Sequence, residues 1–145
     1  SKEKKNLNPL HQDIYNFNSF NFIKMWVPLT KVDKKNGSME VFKGSHKLEF
    51  LKPKYLDDSS TYPEVSEQKI KNLEKITFDL QPGSCVLFYP LLVHRGVKNN
   101  SSKTRFTAGV EIQDVKINGD INIIKKMQKI ATERSRKRSL STNNI

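Results

Sequence analysis

Residues 20 to 47 read FNFIKMWVPLTKVDKKNGSMEVFKGSHK. Aromatic and branched side chains crowd Phe20 to Thr30, the composition of a strand. Pro28 has no N–H to give a sheet and so argues for an edge or a bulge. From Val32 to Lys47 the pattern is turn, strand, turn, with Asn36-Gly37 a strong hairpin signal. Outward from this block, residues 48 to 74 are polar and carry two prolines, Pro53 and Pro63. They read as a long excursion with one short helical turn, a length that compact domains reserve for lids and binding loops. Ile76 to Leu80 returns to strand, Pro82-Gly83 makes a turn, and Cys85 to Tyr89 is strand again. Leu92 to Val97 and Arg105 to Asp114 then form a hairpin about Asn99 to Ser102. After Gly119, Asp120 caps a helix with Ile123, Met127 and Ile130 on one face, an apolar stripe suited to docking on a sheet. The sum is a mainly β, mostly antiparallel domain with a C-terminal helix, a sandwich or jelly roll.

Composition narrows the function classes. The chain has 145 residues, room for one domain and one core. No apolar run approaches the ~18 residues of a membrane span. The opening SKEKKNLNP leads into no apolar signal region, so the expected location is cytoplasmic. Cys85 has no partner for an internal disulfide and sits in the apolar run CVLFY, where a buried, reduced thiol is expected. The net charge is +11, but seven cations against one anion, Glu133, fall between Lys125 and Arg138. A basic run confined to one segment reads as a solvated tail rather than a specific nucleic-acid surface.

Chemistry concentrates on few residues. The chain has three histidines, His11, His46 and His94. His11 and Asp13 stand two positions apart, which in an extended segment turns both side chains to one face. With one distant histidine they make the two-histidine, one-carboxylate set that holds ferrous iron and leaves positions open. His94 ends the apolar LLV run. A symmetric bend between Asn99 and Asn100 would set it directly opposite Arg105, and opposed residues share a sheet face. The planar guanidinium of Arg105 suits a bidentate carboxylate. Thr107 and Gly109 follow on that face and leave room for a ligand, while Phe106, Ala108 and Val110 turn into packing. His46 reads as a hydrogen-bonded turn residue, and Trp26 as core or as a wall of the pocket. Lys47, Lys52 and Lys54 in the excursion are compatible with an anionic substrate.

Taken together, HQD at 11 to 13, the block from Trp26 to Lys47, QPGSCVLFYPLLVHRG and the arginine of KTRF resemble the phytanoyl-CoA dioxygenase family of iron(II)/2-oxoglutarate oxygenases. The match covers about residues 10 to 112, and the eleven-residue step from His94 to Arg105 agrees with it. The resemblance implies a double-stranded β-helix, that is, a cupin-like jelly roll; the expected core is residues 1 to 118, and the residues beyond it read as a docked helix over 119 to 135 and a basic tail over 136 to 145. It implies Fe(2+) on His11, Asp13 and His94, and the far carboxylate of 2-oxoglutarate on Arg105, with Gln12 and Trp26 lining the co-substrate pocket. The implied activity is hydroxylation of a small-molecule substrate with release of succinate and CO2. A non-catalytic β-barrel that captures a carboxylate is the alternative. Two departures stand out. Arg95-Gly96 follows His94 where a hydroxyl residue is common, and HQD comes so early that an N-terminally incomplete core is expected.

Overall fold

In the computed structural model, residues 8–16, 21–54 and 63–113 are described. Six strands appear in chain order: β1 (Phe22–Pro28), β2 (Met39–Phe42), β3 (Lys75–Thr77), β4 (Val86–Phe88), β5 (His94–Gly96) and β6 (Thr107–Gln113). They form two antiparallel sheets, ordered β4-β1-β6 and β3-β2-β5. Met39 and Val41 of the second sheet pack with Phe88, Trp26 and Val86 of the first, so the two sheets share one interior. A second cluster, Leu10, Ile14, Phe42, Val65, Ile70 and Val93, lies on the far side of β2, which explains why that strand is buried along its whole length. This is the mainly β jelly roll that the sequence predicts. The helix expected over 119 to 135 and the tail lie outside the described residues.

Several pairings differ from expectation. β5 and β6 do not form a hairpin with each other: β5 pairs with β2, and β6 with β1. The turn chemistry was real, but it serves a crossing between sheets. Asn99 bridges back to Asn36, its Oδ1 accepts from the Ser101 amide at 2.9 Å, and its side-chain amide donates to the Lys103 carbonyl at 2.8 Å. Asn36-Gly37 likewise turns the chain from β1 into the opposite sheet rather than into an adjacent strand. Nor is β1 an edge: it lies between β4 and β6. Pro28 is its last residue, where a missing N–H interrupts no ladder beyond it.

The long excursion is pinned at its neck, where the amides and carbonyls of Lys54 and Glu64 exchange bonds of 2.8 and 2.7 Å. The short helical turn predicted within it is a 3-10 turn at Glu67–Lys69. Cys85, expected inside, is exposed. Alternation along β4 explains this, because Phe88 turns inward while Leu87 is 59% exposed on the outer face. That outer face also carries Ile23 on β1 and Val110 and Ile112 on β6, all partly open to solvent among the described residues. Phe106, expected in packing, is 58% exposed.

Candidate metal centre

The two histidines meet through backbone pairing. His11 and His94 exchange both backbone bonds, His11 N–H to His94 O at 2.9 Å and the return at 3.0 Å. The partner directly opposite His94 is therefore His11, with Val41 on its other side, and not Arg105. Directly opposed side chains share a face, and the two imidazole centroids lie 4.2 Å apart. Asp13 opens a 3-10 turn just past the bridge and points the same way. Its Oδ1 stands 3.3 Å from His11 Nε2 and 3.7 Å from His94 Nε2. One donor atom from each of the three falls within 4.8 Å of the others, and all three residues are buried.

The ring tautomers follow from the hydrogen bonds. His11 Nδ1 lies 2.7 Å from the Pro9 carbonyl and His94 Nδ1 lies 3.0 Å from the Leu92 carbonyl. A carbonyl only accepts, so Nδ1 carries the proton in each neutral ring and Nε2 presents a lone pair. Burial, opposed by the nearby Asp13 carboxylate, pushes His94 down to about 4, so it is neutral at pH 7. For Asp13, burial works to raise the carboxyl, yet contact with His11 and the nearby His94 and Lys24 hold it below its ordinary value. The neutral His94 thus turns a bare Nε2 toward the Asp13 carboxylate, two acceptors facing one another. A cation shared among them resolves it. Asp13 Oδ2 adds a second sign: it is a buried oxygen with no hydrogen-bond partner, the kind of group that calls for an ion. Two nitrogens and one carboxylate oxygen, with room left on the cavity side, fit ferrous iron.

These three residues line a cavity of about 230 Å³ shared with Trp26, Arg105 and Thr107. Its size suits a small molecule rather than a drug-sized ligand, for which ~300–1,000 Å³ is usual. Arg105 reaches the cavity from the other sheet. Its segment is held to β1 by the Phe106 carbonyl, which accepts from Leu29 N at 2.9 Å. Trp26 pairs with Gly109 and Pro28 with Thr107, so period-two alternation sets Arg105, Thr107 and Gly109 on the Trp26 face. The guanidinium lies 5.9 Å from the Trp26 ring centroid. Among the described residues no carboxylate pairs with it, and burial alone lowers its pKa. A half-buried cation without an acid is poised for an anionic ligand.

Gln12 sits elsewhere. Fully buried, it donates to the carbonyls of Glu49 and Leu91 at 2.9 and 2.7 Å and accepts from Leu51 N at 3.0 Å. Its amide braces the HQD segment against two neighbouring loops, and it does not line the cavity. Ser45 does a comparable job below His94, its buried hydroxyl accepting from the Val93 amide at 2.8 Å. His46 is part of the 3-10 turn Ser45–Leu48 beside Tyr89 and is not among the cavity residues. Lys47, Lys52 and Lys54 are exposed and also lie off the cavity wall.

The sequence reading missed Lys24 and Arg95, both of which line the cavity. Arg95 is committed to Glu40 at 2.7 Å and Glu67 at 2.8 Å. Lys24 is paired with Glu111, and its Nζ lies 4.0 Å from Asp13 Oδ2. The signal for it was present: Lys24 stands two positions before Trp26 on one strand and must share its face.

Comparison with known proteins gives this geometry a family. The sequence profile described as Phytanoyl-CoA dioxygenase (PhyH) matches residues 2–107. The chain belongs to the phytanoyl-CoA dioxygenase family. A curated relative, the peroxisomal phytanoyl-CoA dioxygenase of Bos taurus, is 27% identical over 111 residues, which cover 72% of this chain and 33% of that protein. The chain thus spans about a third of the length of this relative. Solved structures share the fold. The non-haem α-ketoglutarate-dependent epimerase SnoN from nogalamycin biosynthesis superposes with a TM-score of 0.56 at 22% identity, over 74% of this chain and 39% of that one. EctD from S. alaskensis, solved with 2-oxoglutarate and 5-hydroxyectoine, gives 0.58 at 18% identity over 76% and 39%. The non-haem monooxygenase ThoJ gives 0.59 at 16% identity over 97% and 64%.

Proposed function

We propose that this phytanoyl-CoA dioxygenase family member is an Fe(II)- and 2-oxoglutarate-dependent dioxygenase that hydroxylates a small molecule, releasing succinate and CO2. The observation that carries the reading is the pairing, in one cavity, of a buried two-histidine, one-carboxylate set with an arginine that has no acidic partner among the described residues. His11 and His94 would hold iron through Nε2, each fixed by its Nδ1–H bond to a backbone carbonyl, and Asp13 through its carboxylate. Bound ferrous iron supplies the activation of oxygen that no side chain can provide. Arg105 would receive the far carboxylate of the co-substrate, and Trp26 would form the wall beside it, keeping water from that end. Thr107 and Gly109 keep the floor small enough for the chain of a dicarboxylate to pass. An exposed free cysteine suits a reducing compartment, and we place the activity in the cytoplasm.

The test is anaerobic titration of the chain with ferrous iron and 2-oxoglutarate, following the visible metal-to-ligand charge-transfer band. A saturable band is expected, absent in Asp13→Ala and His94→Ala with circular dichroism unchanged, and displaced to higher 2-oxoglutarate concentration in Arg105→Ala. Metal-independent binding of 2-oxoglutarate by folded protein, with no band, would instead support a carboxylate-binding barrel without turnover.

A further inference from the structure

Lys24 and Glu111 are direct cross-strand partners between β1 and β6, and the Lys24 side chain, which lines the cavity, forms an ion pair with Glu111. The Lys24 arm lies over Gly109, where a Cβ would stand 3.5 Å from Lys24 Cε and 3.6 Å from Nζ. This puts the ammonium 4.0 Å from Asp13 Oδ2, the buried oxygen without a hydrogen-bond partner. This is a long ion pair with no hydrogen bond in it, and a small rotation of the lysine arm away from Glu111 would close it to hydrogen-bond distance. Asp13 is the more buried of the two acids, with 7% of its side chain exposed against 29% for Glu111. Coulomb attraction strengthens as water is excluded, so Asp13 is a strong competitor for the ammonium. A lysine bound to Asp13 would cap the oxygen that a metal needs and place a positive charge where the metal must sit.

We propose that Glu111 is a positioning residue that holds Lys24 off Asp13 and so keeps the carboxylate open to a divalent cation. The role rests on the triad assignment made above. It belongs to residues that touch no co-substrate atom in that assignment, and it concerns affinity for the metal rather than turnover.

The experiment is a double-mutant cycle read by anaerobic titration with Co(II), a divalent probe with visible bands, in the wild-type chain, Glu111→Gln, Lys24→Met and the double variant. Glu111→Gln is expected to weaken Co(II) binding roughly tenfold when Lys24 is present, and less than about threefold in the Lys24→Met background, a coupling ordinary for contacting charges. Equal losses in both backgrounds would mean that Glu111 acts only as a nearby negative charge, and would overturn the tether. Unchanged affinity in Glu111→Gln overturns it as well. Should that variant fail to fold, Glu111→Asp retains the charge and shortens the arm. A loss of affinity is then expected, and wild-type affinity overturns the proposal. The parent reading fails separately: a folded wild-type chain whose Co(II) bands are absent, or survive in Asp13→Ala, rejects the triad and this role with it.

Discussion

His94 is buried at the start of β5 beside Phe88, whose ring meets its imidazole edge-on at 4.9 Å. Its folded pKa of about 4 lies below the ordinary 6.5. Above pH 6.5 both folded and unfolded chains hold it neutral, and its contribution to stability is fully present. As the pH falls from 6.5 to 4 the unfolded chain takes up the proton first, so metal-free stability should drop by about 3 kcal/mol from this group. Denaturant unfolding of the metal-free chain at pH 7 and pH 4, alongside His94→Gln, checks this, since the variant should lose less over the same interval. The sequence made His94 and Asp13 legible because both depend on local spacing and on a ligand set with few members. It misled at Gln12. The rule that sends residues 11 and 13 to one face sends residue 12 to the other, and the amide is indeed engaged with the backbone of two loops. Resemblance and alternation disagreed at that position, and the structure follows alternation.

At the level of elements, turns were legible from sequence but their destinations were not. Asn36-Gly37 and Asn99 are turns, yet neither joins neighbouring strands of one sheet. A turn sequence fixes the local backbone, while pairing is set by which apolar faces must be buried together. The expected position of Arg105 survived an incorrect pairing because sheet faces alternate in the same way on β6 whichever strand lies beside it. Glycine positions can be separated on the same physical grounds. Gly37 has φ +92°, and a Cβ there would meet Asn99 Cβ and Val97 O at 3.1 Å. Gly44 has φ +78° with open space around it. Gly37→Ala should therefore cost on the order of 1–3 kcal/mol, and Gly44→Asn well under 1 kcal/mol, since asparagine tolerates the left-handed region. Thermal unfolding of the two variants side by side is the measurement. Equal losses would show that the crowding at Gly37 relaxes.

For the whole molecule, the apolar outer face of the β4-β1-β6 sheet is the feature that the sequence could not announce, because strands rich in aromatic and branched residues conceal which of their faces is covered. Ile23, Leu87, Tyr89, Val110 and Ile112 are 39% to 60% exposed there. The stripe Ile123, Met127 and Ile130 follows β6 in the sequence. If that stripe covers the sheet, deleting residues 119–145 should increase binding of a hydrophobic dye and lower the melting temperature. Unchanged dye binding would mean that the face is open in the full chain.

His94 belongs to the β3-β2-β5 sheet, whereas Arg105 leads into β6 of the other. A dicarboxylate gripped by both ends would run from one layer to the other through the interior, acting as a removable stitch. Slowed hydrogen exchange should then appear in β5 and β6 together, and only when metal and dicarboxylate are both present. Metal alone, which touches one layer, should quiet β5 and the HQD segment and leave β6 breathing at its own rate.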